Sequence, residues 1–269
     1  MNTAEVDGAR IAFADEGSGS PAFVFVHGLA CDSSAWQPQF DALKGDYRCI
    51  SVDLRGRGQS PHALPCDPQT AANDVAAVMR QAGCGPAIVV GHGLGGLVAL
   101  LLNESHPELV LGIVLGDSPV RAELGGNFDR TVDALREAGS TDPLRRVVDC
   151  FFVETTAEAL KVRFRAMMLE CPPDIAAGML DNCQDLASRA AELVRAADRK
   201  PCMAIWAGKP IGDPAWLRDK TMFLRQEPIP GTGHFFQLEE PAITTALLRA
   251  FIDDVRRDPR LPAQGFNLS

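Results

Sequence analysis

The chain has 269 residues, 46% of them hydrophobic and 23% charged, which is enough apolar material to bury the core of one α/β domain. A formal charge of −9 and an isoelectric point near 5.1 exclude the concentrated positive charge that nucleic acid or an anionic membrane surface requires, and leave a small neutral or apolar molecule as the expected partner. The start, MNTAEVDGAR, has neither a basic nor an apolar signal segment, no apolar run approaches a membrane span, and the eight cysteines (Cys31, Cys49, Cys66, Cys84, Cys150, Cys171, Cys183, Cys202) form no CxxC pair or Cys/His cluster, so a cytoplasmic chain with free thiols and no metal is expected.

Taken in order, Asp7-Gly8 between AEV and ARIAFAD predicts a β-hairpin with a two-residue turn, followed by a Gly/Ser loop from Gly17 to Ser20. The apolar runs AFVFVHG, YRCISVDLRG, PAIVVGHG, VLGIVLGD, PCMAIWAGK and TMFLRQEPIPG suit buried parallel strands. Helical periodicity lies between them. Over residues 70–82 it puts Ala71, Val75, Val78 and Met79 on one face, and residues 94–106 form an apolar helix launched from a glycine turn. Alternating strand and helix predicts a doubly wound sheet.

From Pro119 to Lys200 the strand pattern stops, and helices are expected near residues 128–137, 157–169, 175–181 and 186–197. The chain therefore divides into a core of residues 1–118 and 201–269 and an inserted helical cap of residues 119–200. Phe151, Phe152, Phe164, Met167 and Met168 lie in the insertion; they either line an apolar substrate pocket or pack its helices together. The Pro- and Arg-rich tail after Arg256 is expected to fray.

Gly91-His92-Gly93-Leu94-Gly95-Gly96 sits directly between a strand and a helix. Two motifs compete for it. A GxGxxG dinucleotide fingerprint belongs to the first strand–helix unit and needs an acidic ribose ligand about twenty residues on. A nucleophile elbow, G-x-S-x-G, needs this strand–turn–helix context, with flanking glycines where the backbones approach. Three further segments decide between them: His27-Gly28 at the end of a strand, Asp53-Leu54-Arg55-Gly56-Arg57-Gly58-Gln59-Ser60 after the next, and Gly231-Thr232-Gly233-His234 after the last. In this order and on these loops they resemble the α/β-hydrolase superfamily over nearly the whole chain, and within it the small cap-bearing esterases, lactonases and carbon–carbon bond hydrolases.

That resemblance implies an α/β-hydrolase fold: a mostly parallel eight-stranded sheet flanked by helices, with the helical cap inserted after the sixth strand. It implies His234 as general base, the backbone N–H groups of Leu29 and Leu94 as an oxyanion hole, and a structural role for the Asp53–Ser60 loop. His27 is then a structural histidine beneath the sheet, His92 a packing residue of the elbow, and His62 and His106 are expected at the surface. The sequence departs from the family pattern twice. Gly93 stands where the family has its serine. The usual G-x-x-D after the seventh strand reads Gly208-Lys209-Pro210-Ile211, which leaves Asp213, two residues late, or Asp117 at the end of the sixth strand, where some members keep the acid; Asp117 is preferred.

A glycine at the elbow admits four readings: a hydrolase whose serine has been removed, water attack promoted by a His234/Asp117 dyad, proton abstraction from substrate as in cofactor-free dioxygenases of this fold, or a pocket kept only for binding. Cys31, Ser33 and Ser34 follow the HG turn, but none occupies the strained elbow that aims an atom at both base and oxyanion hole. The expectation is a hydrolase-type protein for a small apolar ester, lactone or ketone, of weak turnover and without metal or organic cofactor. Its oligomeric state is not fixed by the sequence.

Overall fold

The computed structural model describes residues 1–120 and 125–261. Strands β1 (Asn2–Val6) and β2 (Ala9–Glu16) pair antiparallel through Asp7 and Gly8, both at positive φ, as a tight two-residue hairpin demands. The sheet then runs in the order β1-β2-β4-β3-β5-β6-β7-β8. β2 meets β4 (Cys49–Val52) antiparallel, and β3 (Phe23–Val26), β5 (Ala87–His92), β6 (Val110–Gly116), β7 (Cys202–Ala207) and β8 (Arg225–Ile229) are all parallel to their neighbours. Every residue of β3 to β7 is buried, which is why these segments read as unbroken apolar runs; β8, at the edge, is half exposed. Each of the six predicted runs contains one of these strands.

Alternate residues of one strand feed two cores. Val24 and Val26 of β3 join the cluster under α2 (Pro68–Gln81) and α3 (Leu94–Ser105), while Phe23 and Phe25 point into the cluster covered by α1 (Gln37–Leu43) and α11 (Pro241–Arg257). α2 is started by Asp67, whose carboxylate accepts from the N–H groups of Gln69 and Thr70, with Pro68 in the first turn. It buries the face read from the sequence, Ala71, Val75, Val78 and Met79. α11 packs Leu248, Phe251, Ile252 and Val255 against the opposite side.

Between β6 and β7 lie five helices: α4 (Gly125–Ala138), α5 (Leu144–Cys150), α6 (Glu158–Leu169), α7 (Pro173–Leu180) and α8 (Cys183–Ala197). Four match the predicted segments. α5 was not anticipated, since seven residues carrying Arg145 and Arg146 give little periodic signal. α8 also differs from expectation: it packs along α3, with Arg189 paired to Glu104, and so belongs with the helical layer of the core as much as with the insertion. Two short helices, α9 (Pro214–Lys220) and α10 (Phe236–Glu239), complete the chain. The end of the tail expected to fray lies outside the described residues, as does part of the expected cap. No helix among the described residues is long and apolar enough to cross a membrane.

Candidate active site

β5 runs into Gly93, at φ 52° and ψ −120°, and α3 begins at the next residue. The flanking glycines are forced by backbone approach: a β-carbon on Gly91 would lie 2.1 Å from the Gly95 carbonyl oxygen, and one on Gly95 would lie 2.5 Å from that of Val26. Gly93 differs. A β-carbon there would stand 3.0 Å from Nε2 and 3.2 Å from Cε1 of His234, with Gly28 Cα next at 3.9 Å. The elbow is thus built as an elbow, and its central residue faces a histidine ring rather than main chain.

His234 follows β8 on a loop held at several points. Thr232 Oγ1 donates to the Ile229 carbonyl, and the Gly233 N–H donates to the Glu239 carboxylate, which also accepts from Thr156 Oγ1 of the insertion. The His234 N–H donates to the Phe151 carbonyl at 2.8 Å. Its ring bonds through Nδ1 to Asp117 Oδ2 at 2.7 Å, with both side chains buried. The second oxygen of Asp117 accepts from the Ile211 N–H at 3.2 Å, and the Asp117 N–H is tied to the Ile205 carbonyl. Asp117 itself sits at φ 42°, a left-handed conformation that aspartate tolerates better than most residues. With Nδ1–H given to the carboxylate, Nε2 is left as an acceptor facing Gly93. Asp213 is elsewhere: its carboxylate accepts from the Trp216 N–H and starts α9.

The His234 ring packs, tilted, against those of His92 and Phe151, each 4.3 Å between centroids. His92 Nε2–H donates to the His234 carbonyl at 2.9 Å, while its buried Nδ1 has no hydrogen-bond partner. Burial, and secondarily the neighbouring His234, hold the His92 pKa well below the ordinary histidine value. His27 is likewise held down by burial; its Nδ1–H donates to the Gly28 carbonyl and Nε2 accepts from the Leu54 N–H at 3.0 Å. These contacts make it the structural bridge between the HG turn and the loop after β4. His62 is exposed and pairs with Asp174, whereas His106, expected at the surface, is half-buried against Arg80 and Asn73.

That loop is built around its charged residues. Asp53 accepts from the N–H groups of Ser33 and Gln59, and a β-carbon on Gly58 would fall 2.3 Å from its carboxylate. Arg55 and Asp74 form a buried two-point pair, and Arg57 spans from the Cys31 carbonyl to that of Met167 in the insertion.

A cavity of about 90 Å³ opens beside Gly28 and His234. Leu29 and Leu94 both line it. Among the described residues the Leu29 N–H has no hydrogen-bond acceptor, and the Leu94 N–H is in the first turn of α3, where no helical partner exists. Of the five residues expected to line a substrate pocket, Phe151 lines this cavity, and the other four are not among its described lining. Phe164 is fully buried and stacks on Phe235 at 4.0 Å, Phe152 packs beside Phe235, and Met167 and Met168 are buried in the main core, so these four join insertion to sheet. The sequence reading missed Phe235, Ile211 and Leu180, which do line the cavity. Phe235, next to His234 in sequence, was the one with a usable signal. Cys31 also lines it, but its thiol is buried and its pKa is pushed up strongly by burial, so it stays protonated. Among the described residues no group of three His, Cys, Asp or Glu could hold a metal ion.

A doubly wound sheet whose fifth strand ends in an elbow, with a His–Asp pair delivered from the loops after β8 and β6, defines the class. The sequence profile of the Alpha/beta hydrolase family matches residues 23–247, and the chain belongs to that family. It is 30% identical over 258 residues, 90% of its length and 97% of the relative's, to a Mycobacterium tuberculosis protein named "Putative non-heme bromoperoxidase BpoC". It is 35% identical over 152 residues, 56% of its length, to the dihydrolipoyllysine-residue acetyltransferase component of the acetoin cleaving system of Cupriavidus necator, of whose length the match spans only 40%. The fold is shared with a thermophilic esterase from Thermogutta terrifontis: TM-score 0.82, 24% identity, covering 94% of this chain and 97% of the esterase.

Proposed function

We propose that this protein hydrolyses small apolar esters or lactones by direct attack of water, with His234 as general base, Asp117 as its orienting acid, and the Leu29 and Leu94 N–H groups receiving the oxyanion. The observation that carries this reading is the buried 2.7 Å bond from His234 Nδ1 to Asp117, which leaves Nε2 as an acceptor 3.0 Å from the point where a side chain would begin at Gly93. In this scheme water gives a proton to Nε2 as its oxygen bonds to the acyl carbon. The tetrahedral oxyanion rests on the two N–H dipoles and the positive end of α3. The imidazolium, stabilised by Asp117, then returns the proton to the departing alkoxide, giving acid and alcohol without an acyl-enzyme. A retained His–Asp pair favours this reading over a pocket kept only for binding, since a binder has no use for an oriented base.

The test compares hydrolysis of p-nitrophenyl acetate and simple lactones by the natural chain, by His234→Ala and by Gly93→Ser. The expected result is slow hydrolysis abolished by His234→Ala, and a gain of several orders of magnitude with Gly93→Ser as a nucleophile enters a competent site. Hydrolysis by the natural chain that is indifferent to His234 would sink the proposal.

A further inference from the structure

If water is the nucleophile, as the proposed function holds, then the space between Gly93 and His234 is a substrate site in its own right, and its chemistry determines what else can enter. One acceptor bears on it: His234 Nε2, 3.0 Å from the Gly93 β-carbon position. With Nδ1–H given to Asp117, Nε2 can only accept, so a ligand that carries an N–H or O–H donor satisfies it. Among the described residues the lining contributes no carboxylate, lysine or arginine, so it favours a neutral nucleophile over a charged one. Size is limited as well. A single water needs roughly 10–15 Å³, so about 90 Å³ holds a short acyl group and a nucleophile of a few heavy atoms.

We propose that the Gly93–His234 gap is a second-substrate site for small, uncharged, hydrogen-bond-donating nucleophiles, and that the protein transfers short acyl groups directly onto amines of hydroxylamine size as well as onto water. In the step with hydroxylamine and phenyl acetate, the nitrogen bonds to the acyl carbon while one N–H proton passes to His234 Nε2. The carbon–oxygen bond to phenolate breaks, and the imidazolium returns that proton to the phenolate. The products are acetohydroxamic acid and phenol, with no change of oxidation state.

The experiment follows phenol release and hydroxamate formation from phenyl acetate across a hydroxylamine series, with the natural chain, His234→Ala, Gly93→Ala and Gly93→Ser, each checked for native circular dichroism. Because nucleophile and ester meet in one step, phenol release by the natural chain should rise about tenfold or more and level off with hydroxylamine, matched mole for mole by hydroxamate at saturation. Gly93→Ala, whose β-carbon takes the nucleophile's place, should lose that rise. Gly93→Ser should release phenol at a rate set by its own acylation. N-tert-butylhydroxylamine, too bulky for the gap, should give no rise with the natural chain, a control that stands even if Gly93→Ala fails to fold. Hydroxamate that only climbs linearly, at the His234→Ala rate, while hydrolysis remains His234-dependent, overturns this inference and leaves the hydrolase reading intact. Loss of His234 dependence in hydrolysis and aminolysis alike overturns both.

Discussion

Asp117 and Asp213 are the same residue type, and nothing in the local sequence ranks them, yet their surroundings give them different work. Asp117 is fully buried and bonded to His234, whereas Asp213 starts a surface helix. Asp117→Asn keeps the shape but disturbs the imidazole tautomer, and should lower His234-dependent hydrolysis by about 10²- to 10⁴-fold in kcat. Asp213→Ala should leave kcat unchanged and cost about 1 kcal/mol in a urea titration, the usual worth of a lost helix cap. The two buried histidines make a pH prediction. Burial lowers the pKa of both His27 and His92 in the folded chain, so below the ordinary value of 6.5 the unfolded chain takes up protons that the folded chain refuses. Stability is therefore full above that pH and falls as pH drops, by up to about 1.4 kcal/mol per pH unit for each histidine. Urea midpoints that do not fall between pH 7.5 and 5.5 would contradict this assignment. At this scale the elbow glycines, the HG turn and His234 were legible because their chemistry is local. The preference for Asp117 over Asp213 rested on the family resemblance and not on a local signal, because the choice depends on a contact across 117 positions of sequence.

Among the elements, the loop between β4 and α2 carries the most buried charge, and its value is testable. Asp74→Ala strands the Arg55 guanidinium without its carboxylate, and should destabilise the fold by about 3–5 kcal/mol. Glu108→Ala, at the exposed pair with Arg80, should leave the denaturation midpoint essentially unchanged, and equal losses for the two variants in chemical denaturation would refute the distinction. The strands were readable from composition because burial on both faces leaves only apolar residues to use. The insertion was less so. α5 is too short for a periodic signal, and the aromatic and methionine residues of α6 gave no indication whether they faced the cavity or the sheet; Phe164 stacks on Phe235 instead of reaching the cavity. Amphipathic periodicity identifies a buried face without naming what it is buried against.

The whole molecule sets the size of what can react. With about 90 Å³ between the sheet and the insertion, kcat/KM for p-nitrophenyl esters should be highest for acetyl and propionyl and fall by about tenfold or more at hexanoyl. A flat chain-length profile would mean that the insertion moves aside during turnover. The insertion is not an independent cover. Phe151 accepts the His234 main-chain N–H and lays its ring against the imidazole, while Glu239 and Thr156 tie the same loop from the other end. To admit a larger guest the insertion would have to release the very group that performs the chemistry, so access and competence are mechanically opposed. Size selectivity and the positioning of the base therefore rest on the same contacts, so a substitution that widens the cavity at Phe151 also loosens the histidine.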